Sequence, residues 1–330
     1  MASKFEKDSL KIRRHFLDNN YDNQYLLRHY EIINPEQSLK GSTVLSYWKK
    51  YVNKKKKPPI DFYINIPYCV SRCDYCVFTT RPINIIELEN YVDKLICYLS
   101  NFEAVFQGTV FRNLYLGGGT PSVLSEANLD KLLGFVQKHF KFEKDGGKCC
   151  EMDPITASKS KIAILKKYHF NRISFGAQSL NSEVIKINNR GLQTNKMVED
   201  TFTRAREVGI KYINVDLILG LFGDTKTSFL DSLRKMFILR PNSICLYFLQ
   251  GTGNYVNKHF KGKIENFNKH FLNFSKNLMS EVASMAIEFE YMISDNTERI
   301  LVNRSEGSAI GITDLRVEDI KKLTLLIHPM

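Results

Sequence analysis

Three cysteines near residue 70 have the spacing of a metal-binding loop. Cys69, Cys73 and Cys76 stand at C-x3-C-x2-C, directly after the apolar run 62–66. Cysteine thiolates are the usual ligands of iron–sulfur clusters, and a short loop can bring three of them to one point. Three thiolates leave one iron of a four-iron cubane without a protein ligand, and an open position is what a catalytic metal site needs. The spacing therefore favours a [4Fe–4S] cluster with one open iron.

A zinc knuckle and a set of buried structural thiols are the alternatives for this loop. Zinc needs a fourth ligand, typically from another C-x2-C or a His pair, and the sequence near the loop offers neither. The chain has seven cysteines, an odd number, and they do not form the pattern of a disulfide framework. We expect the remaining cysteines to be dispensable for the cluster: Cys97, Cys149, Cys150 and Cys245.

Strand-like and helix-like segments alternate from residue 60 onward, and their order predicts how the loop is positioned. The strand-like segments are 61–66, 110–116, 148–151, 171–175, 212–219 and 243–249. The helix-like segments lie between them, at about 86–104, 125–140, 157–168, 194–208 and 226–239. Such alternation predicts βαβ units with a parallel sheet, as an open barrel or as a doubly wound sheet. In both architectures the chemistry lies at the carboxyl ends of the strands.

Glycines and a carboxylate stand where two of these strands are predicted to end. The second strand runs into Gly117, Gly118 and Gly119, and Thr120 follows. Glycines allow the backbone to approach a ligand closely, although a tight turn between strand and helix would need them too. The third strand ends at Glu151, whose carboxylate could accept hydrogen bonds from a ligand or cap the next helix. Each of these signals is weak when taken alone.

In their order and spacing, these segments resemble the radical S-adenosylmethionine (SAM) enzymes, in the branch of oxygen-independent coproporphyrinogen III oxidase and the heme chaperone. The resemblance extends from about residue 60 to residue 300. It is carried by the cysteine loop (residues 67–78), GGGTP at 117–121, NRISFGAQS at 171–179, NRG at 189–191 and NVDLILGL at 214–221. The resemblance implies an α/β fold, a partial (β/α)6 TIM-like radical SAM barrel with a helical N-terminal extension and a short C-terminal tail.

The same resemblance implies the cofactors, because these relatives hold a [4Fe–4S] cluster and reductively cleave SAM to a 5′-deoxyadenosyl radical. The cluster ligands would be Cys69, Cys73 and Cys76. One or two SAM molecules would be contacted by the residues that match the family's motifs: Tyr63, Tyr75, Gly117, Gly118, Gly119, Thr120, Glu151, Gln178, Arg190 and Asp216. No catalytic acid or base is assigned. The implied partners are a small anionic substrate such as a tetrapyrrole and an electron donor such as flavodoxin or ferredoxin.

Three departures from the family's pattern leave the reaction open. Asn65 stands where the family usually has His, and Phe78 stands where true coproporphyrinogen oxidases have a further Cys. The family's extended C-terminal domain is expected to be missing, and nothing after Asp295 matches the heme-binding element of the chaperones. An oxidase-like radical SAM enzyme is the first hypothesis. A radical SAM C-methyltransferase that uses two SAM molecules and a non-catalytic heme-binding or delivery protein are the alternatives.

The composition is basic, with 47 Lys and Arg against 35 Asp and Glu and a formal net charge of +12. A solvated basic face explains such an excess, and so do an anionic substrate, nucleic acid or an acidic redox partner. Nucleic acid has the least support, because no aromatic residues interleave with the lysine run 54–57. The N-terminus lacks the apolar core of a signal peptide, and no segment reaches the roughly 18 apolar residues of a membrane span. We therefore expect a cytoplasmic protein.

The lysine run and the two prolines after it predict a domain boundary near residue 59. We expect a basic helical N-terminal extension at 1–59, the radical SAM core barrel at 60–252 and a truncated C-terminal region at 253–330. A radical in an open, wet site would be quenched by competing hydrogen donors, so the barrel needs a cover. The extension and the helix-like segment 264–288 are the predicted cover, because both contain apolar residues that could pack over the barrel mouth.

Overall fold

The computed structural model describes residues 41–53, 60–78, 80–296, 299–304 and 324–327. The first helix, α1 (Gly41–Val52), is the described part of the predicted N-terminal extension. Its Trp48 packs against Phe106 of the core, with ring centroids 5.4 Å apart. The rest of that extension, which contains the lysine run, lies outside the described residues. So does most of the predicted C-terminal region after residue 304.

Nine strands of the described residues form one mixed sheet. In chain order they are β1 (Asp61–Ile66), β2 (Leu114–Gly118), β3 (Lys148–Met152), β4 (Arg172–Gln178), β5 (Tyr212–Leu219), β6 (Ser243–Phe248), β7 (Tyr291–Asn296), β8 (Arg299–Arg304) and β9 (Thr324–Ile327). Their order across the sheet is β7-β8-β6-β5-β4-β3-β2-β1-β9. Strands β1 to β6 are parallel neighbours in chain order. β8 pairs antiparallel with β6 and β7, and β9 pairs parallel with β1.

Six successive parallel strands with helices between them confirm the predicted fold class, a partial (β/α)6 barrel. Within the described ranges the edge strands β7 and β9 do not pair with each other, so the described sheet is open. Parallel strands have their carboxyl ends at one edge of the sheet, and the loops that follow β1 to β6 therefore gather there. The cysteine loop is the first of these loops.

Nine helices follow β1 in the described part of the chain. They are α2 (Ile85–Ser100), α3 (Glu126–His139), α4 (Lys159–Lys167), α5 (Ser182–Ile187), α6 (Asn195–Glu207), α7 (Lys226–Ile238), α8 (Gly253–Phe260), α9 (Ile264–Ser275) and α10 (Leu278–Glu288). None of the described helices is long and apolar enough to cross a membrane. Helices α2 to α8 each begin after an Asn, Ser or Thr whose side chain accepts a backbone N–H of the first turn. Such a cap contributes about 1 kcal/mol and fixes where its helix begins.

Two predicted elements differ from the structure, and the others agree within a few residues at each end. The strand predicted at 110–116 is wrong as one element, because Val110–Phe111 pairs with Lys141–Phe142 in a separate two-stranded sheet and only β2 joins the main sheet. The helix-like segment 264–288 is two helices, because Asn277 adopts a left-handed conformation with φ of 60° between α9 and α10.

Two apolar clusters hold the elements together. The larger cluster packs the sheet against its helices. The second cluster lies beyond the carboxyl ends of β5 and β6, where Leu221 and Leu249 meet side chains of α8 and α9. α10 instead contacts α7 through the ion pair of Arg234 with Glu288 at 2.6 Å. Of the predicted cover at 264–288, α9 therefore lies over strand ends, while α10 belongs to the outer layer of helices.

Candidate functional site

The cysteine loop leaves the carboxyl end of β1 and folds back before α2 begins. Tyr68–Cys69 pairs with Arg81–Pro82 in a short parallel ladder that closes the base of the loop. Near its tip, the Cys76 N–H donates a hydrogen bond to the Cys73 carbonyl at 3.1 Å in a tight turn. The backbone therefore holds the cysteine-bearing segment as one compact excursion from the first strand.

Two of the three thiols contact side chains from outside the loop, one just after β2 and one in the connection between α5 and α6. Thr120 Oγ1 lies 3.3 Å from Cys69 Sγ, and Arg190 Nη1 lies 3.5 Å from Cys73 Sγ. Burial raises the pKa of the Cys69 and Cys76 thiols, and the neighbouring Cys73 thiol adds to the rise at both. Thiols in such a group lose their protons when a metal supplies the opposite charge. The thiols therefore form one electrostatically linked group with donor side chains beside it.

The described residues contain no group of three His, Cys, Asp or Glu side chains arranged around a single metal ion. A tetrahedral zinc ion, with Zn–S distances near 2.3 Å, would bring its sulfurs within about 4 Å of one another. In a cubane each thiolate binds a different iron, so the sulfurs need not converge in this way. The loop in the described structure therefore does not have the geometry of a single-ion site. The spacing of its thiols suits ligation of separate irons.

The turn at 117–119 consists of glycines because it packs closely against β1 and the cysteine loop. A Cβ on Gly118 would overlap Asn65 Oδ1, and Gly118 has φ of +112°, in the region that favours glycine. A Cβ on Gly119 would stand 2.8 Å from the Tyr68 carbonyl oxygen. The sequence suggested approach to a ligand or a tight connection as the reason for these glycines. The structure adds another reason, which is contact between the turn and the cysteine loop itself.

Glu151, near the end of β3, is held from two sides. Tyr115 donates its hydroxyl to Glu151 Oε1 at 2.7 Å, and the Gly118 N–H donates to Oε2 at 3.1 Å. Tyr63 stacks on Tyr115, with ring centroids 5.4 Å apart. Burial raises the pKa of both tyrosines and the negative charge of Glu151 adds to the rise, so both hydroxyls stay protonated. Glu151 is thus a fixed acceptor beside the glycine turn, and the next helix is capped by Ser158 instead.

Arg190 is a buried guanidinium that joins three parts of the site. Its Nη2 lies 2.8 Å from Asp153 Oδ2 and donates to the Gly176 carbonyl at 2.6 Å. Its Nε donates to Gln193 Oε1 at 3.0 Å. Together with the contact to Cys73, one side chain reaches the ends of β3 and β4 and the cysteine loop. Sequence reasoning missed two of these partners: Asp153 stands close to the predicted carboxylate, but nothing in the sequence pointed to Gln193.

Two buried polar atoms near Arg190 have no hydrogen-bond partner among the described residues. They are Gln178 Oε1 and the Tyr75 hydroxyl. Gln178 has φ of +65°, which is uncommon for a residue with a Cβ, and its amide nitrogen lies against Gly176. A buried polar atom without a partner is unfavourable, and a bound ligand that supplies the partner removes this penalty. These two atoms therefore fit a polar ligand between the cysteine loop and the end of β4.

Asp216 stands one strand beyond the Arg190 contacts. It lies on β5 opposite Gly176 in the register of β4 and β5. Its carboxylate accepts hydrogen bonds from Asn214 Nδ2 at 2.7 Å and from Ser174 Oγ at 3.4 Å. These contacts place Asp216 in a polar network between the two strands. The structure thus brings the glycine turn, Thr120 and Arg190 against the cysteine loop. Glu151 bonds the glycine turn, and Asp216 lies at the side of that group.

The sequence pattern of the Radical SAM superfamily matches residues 63–236, which is more than half of the chain. The chain therefore belongs to the radical SAM superfamily, whose members use a [4Fe–4S] cluster and SAM. The matched span begins on β1 and ends in α7, so it contains the cysteine loop, the glycine turn and Arg190. The residues present fit both groups, because free thiols share one loop and unpaired buried polar atoms lie beside them.

Within that superfamily, the chain is similar to an oxidase and to a heme chaperone. It is 34% identical over 200 residues to oxygen-independent coproporphyrinogen III oxidase of Helicobacter pylori (strain 26695), which covers 59% of this chain and 43% of that protein. It is 32% identical over 197 residues to heme chaperone HemW of Escherichia coli K12, which covers 59% of this chain and 51% of that protein. The chain thus spans about half the length of the curated relatives it matches.

A solved structure supports the same fold. Coproporphyrinogen III oxidase (HemN) from Escherichia coli matches with a TM-score of 0.70 and 24% identity, over 80% of this chain and 59% of that chain. At this identity the likeness concerns the fold alone. It agrees with the open sheet of six parallel strands described above.

Proposed function

We propose that this chain is a radical SAM enzyme with Cys69, Cys73 and Cys76 as its cluster ligands. The observation that carries the proposal is the contact of two of these thiols with Thr120, just after β2, and with Arg190, in the connection between α5 and α6. Thiols that merely filled a core would pack among apolar neighbours. Here they face donor side chains at the edge of the sheet where barrel enzymes place their chemistry.

When bound, the cluster and SAM supply a radical able to remove a hydrogen atom, and the chain's own residues bind, orient and exclude water. We assign the glycine turn with Thr120 and Glu151 to the polar end of SAM, because Glu151 is a fixed acceptor beside that turn. Gln178 Oε1 and the Tyr75 hydroxyl, which are buried without a partner among the described residues, are assigned as further polar contacts of SAM. The remaining proposed contacts are Tyr63, Arg190 and Asp216.

We infer an anionic substrate, with a tetrapyrrole as the leading class. The support is the similarity to a coproporphyrinogen III oxidase and the net charge of +12. Opposite charge raises the local concentration of a substrate and its association rate. Arg72, in the cysteine loop, and Arg81, just after it, are both exposed. Positive charge at this position suits an anionic substrate and also an acidic electron donor such as flavodoxin.

A heme-binding or delivery protein on the same scaffold is the second candidate. The similarity to heme chaperone HemW extends over as much of the chain as the similarity to the oxidase. In addition, Phe78 stands where true oxidases have a further Cys, and its side chain is exposed at the end of the cysteine loop. An enzyme would turn over its substrate, whereas a carrier would bind heme in a fixed ratio without consuming SAM.

Anaerobic reconstitution with iron and sulfide, followed by labelled SAM, a reductant and a panel of tetrapyrroles, separates the candidates. An oxidase-like enzyme forms 5′-deoxyadenosine in step with loss of the substrate. A methyltransferase also forms S-adenosylhomocysteine, and a carrier binds heme with neither product. The control is the triple variant C69A/C73A/C76A, which should form no 5′-deoxyadenosine. Equal product from this variant, or a wild-type chain that holds no iron after reconstitution, would overturn the proposal.

We also propose that residues 60–252 form the catalytic core and that the helices after it supply its cover. Thr252 caps α8 at that boundary. His270 of α9 donates a ring N–H to the Gly220 carbonyl at 2.9 Å, and the Phe271 ring lies against the same glycine. Gly220 directly follows β5, so α9 lies over a strand end. We therefore assign the cover to α8 and α9 rather than to the whole segment 264–288.

A further inference from the structure

Helix α8 touches the cysteine loop at the residue next to Cys73. Asp74 Oδ1 accepts a hydrogen bond from Lys258 Nζ at 2.7 Å, and Asp74 Oδ2 lies 2.9 Å from His259 Nε2. The Asp74 and His259 side chains are 10% and 4% exposed, whereas the Lys258 side chain is 55% exposed. The buried part of this contact is therefore the pair of Asp74 with His259.

The same face of α8 also fixes the backbone of Asp74, through Asn188. Tyr255, Lys258 and His259 stand at positions i, i+3 and i+4, so they share one face of the helix. Tyr255 donates its hydroxyl to Asn188 Oδ1 at 2.5 Å, and the Asn188 carbonyl accepts the Asp74 N–H at 3.2 Å. The backbone and the side chain of Asp74 are thus both fixed by contacts that lead to α8.

The His259 ring is itself fixed in place. It packs against Phe222 and Tyr255, with ring centroids 4.9 and 4.5 Å away. Phe222 follows β5, and its N–H donates to the Tyr255 hydroxyl at 2.9 Å. A shift of α8 relative to β5 would break these contacts. Helix α8 therefore fixes the position of Asp74 relative to the barrel.

We propose that α8 is a positioning clamp for the cysteine loop, with His259 and Asp74 as its positioning pair. The clamp orders the segment from Cys73 to Cys76, so that a cluster assembles on a loop already in place. Tyr255, Lys258 and His259 lie outside every motif that carried the family resemblance. The inference rests on the cluster ligands of the proposed function, but the clamp is a set of contacts within the chain alone.

The buried and the exposed parts of the clamp differ in weight. An exposed Lys–carboxylate pair contributes little, because water and salt screen it and the long side chain loses entropy. Removal of His259 instead leaves an oxygen of the Asp74 carboxylate buried without its partner, which is strongly unfavourable. The order of the cysteine loop should therefore depend on His259 far more than on Lys258.

Hydrogen exchange of the cluster-free chain measures the clamp directly. His259→Phe keeps a ring against Phe222 and Tyr255 but removes the nitrogen that faces Asp74. We expect the backbone amides of residues 69–78 to exchange at least about tenfold faster in this variant, as loss of a hydrogen bond to a charged group implies. His259→Gln can still donate to Asp74 and should restore most of the protection. Lys258→Gln should change the exchange rate by less than about threefold.

His139→Phe is the matched control. His139 also pairs with a carboxylate, Glu103, at 2.7 Å, and its ring stacks on Phe135 with centroids 4.4 Å apart. The pair lies at the last turn of α3 and just after α2, and the C-terminal ends of such helices lie at the sheet edge opposite the cysteine loop. The variant removes a His–carboxylate pair that is more exposed, with side chains 26% and 34% exposed, and should leave exchange in 69–78 unchanged.

Reconstituted protein gives the second measurement. Loss of the cluster to a chelator should be about tenfold faster in His259→Phe than in the wild type, because a loosened loop exposes its ligands more often. The rate should be unchanged in His139→Phe. A change in SAM turnover alone would not distinguish the clamp from other effects, so cluster loss and amide exchange are compared in the same variants.

Unchanged exchange in residues 69–78 of His259→Phe would overturn the clamp. If exchange also rises throughout α8, the helix has loosened, and Asp74→Leu then decides, because it breaks the pair from the loop side. Faster exchange confined to 69–78 in Asp74→Leu supports the clamp, and unchanged exchange there rejects it. A wild-type chain that holds no cluster yet shows these changes keeps the clamp and rejects the proposed function.

Discussion

At the scale of residues, the site is held together by contacts among its own members. Glu151 accepts the Gly118 N–H, and Thr120 reaches Cys69. Arg190 reaches Cys73, and without it Asp153, Gly176 and Gln193 would lose their common contact. A change at one member therefore alters the cysteine loop even when that residue is remote from it in sequence.

The cluster ligands give the first prediction. Cys73→Ala should lower the iron bound after anaerobic reconstitution to near background, because a cubane on two protein thiolates loses a third of its protein ligands. Cys97→Ala is the control, since Cys97 is a free, exposed cysteine on α2. Iron and sulfide per chain are the measurement. Equal iron in Cys73→Ala and Cys97→Ala would contradict the assignment.

The glycine turn gives the second prediction. Gly118→Ala should destabilise the cluster-free chain by about 1–3 kcal/mol, because φ of +112° strains a residue with a Cβ and that Cβ overlaps Asn65 Oδ1. Asn65→Ala in the same chain removes the overlapping atom and should recover part of the loss. Urea unfolding measures both. Gly253→Ala, where a Cβ meets nothing within 4 Å, is the control and should stay within about 0.5 kcal/mol of the wild type.

At the scale of elements, the alternation of strands and helices was predictable because it depends on local patterns. A helix such as α7 begins at a capping box of Thr225 and Ser228, which depends on residues within one turn. Contacts between distant elements left no such pattern. Asp74 is 185 residues from His259, and neither the residue types nor their spacing predicts that the two side chains are in contact. The same limit explains why Val110–Phe111 was wrongly predicted to join the main sheet. An apolar run does not indicate which strand it pairs with.

Arg190 gives the third prediction, because it joins β3, β4 and the cysteine loop. Arg190→Met should destabilise the chain by about 3–5 kcal/mol, since it leaves the Asp153 carboxylate buried without its ion-pair partner. Arg190→Met with Asp153→Asn removes both charges and should be less destabilised than the single variant. The free energies of unfolding from urea titration make the comparison.

The control for Arg190 is a surface ion pair of the same kind. Arg234 and Glu288 pair at 2.6 Å between α7 and α10, with both side chains about half exposed. Arg234→Met should therefore change the free energy of unfolding by less than about 1 kcal/mol. Equal losses in Arg190→Met and Arg234→Met would mean that the Arg190 pair does not support the site.

At the scale of the whole molecule, both edges of the parallel sheet are covered by strands from the C-terminal region. The β7–β8 hairpin covers β6, and β9 covers β1. The resemblance seen in the sequence extended to about residue 300 and so included β7, but the sequence gave no sign that a strand near the end of the chain returns to the first strand. Long-range parallel pairing is set by how the whole sheet assembles, and a short apolar run such as 324–327 does not reveal its partner.

The pairing of β9 with β1 gives the last prediction, because β1 leads directly into the cysteine loop. A chain that ends at residue 323 lacks the four register pairs from Asp61 with Thr324 to Ile64 with Ile327. We expect it to lose about 2 kcal/mol or more of stability, as several backbone hydrogen bonds of about 0.5–1.5 kcal/mol each would imply. Its exposed β1 edge should also promote association between chains. The control ends at residue 327 and keeps β9. Urea unfolding and light scattering compare the two chains, and equal midpoints with equal scattering would show that β9 does not support β1.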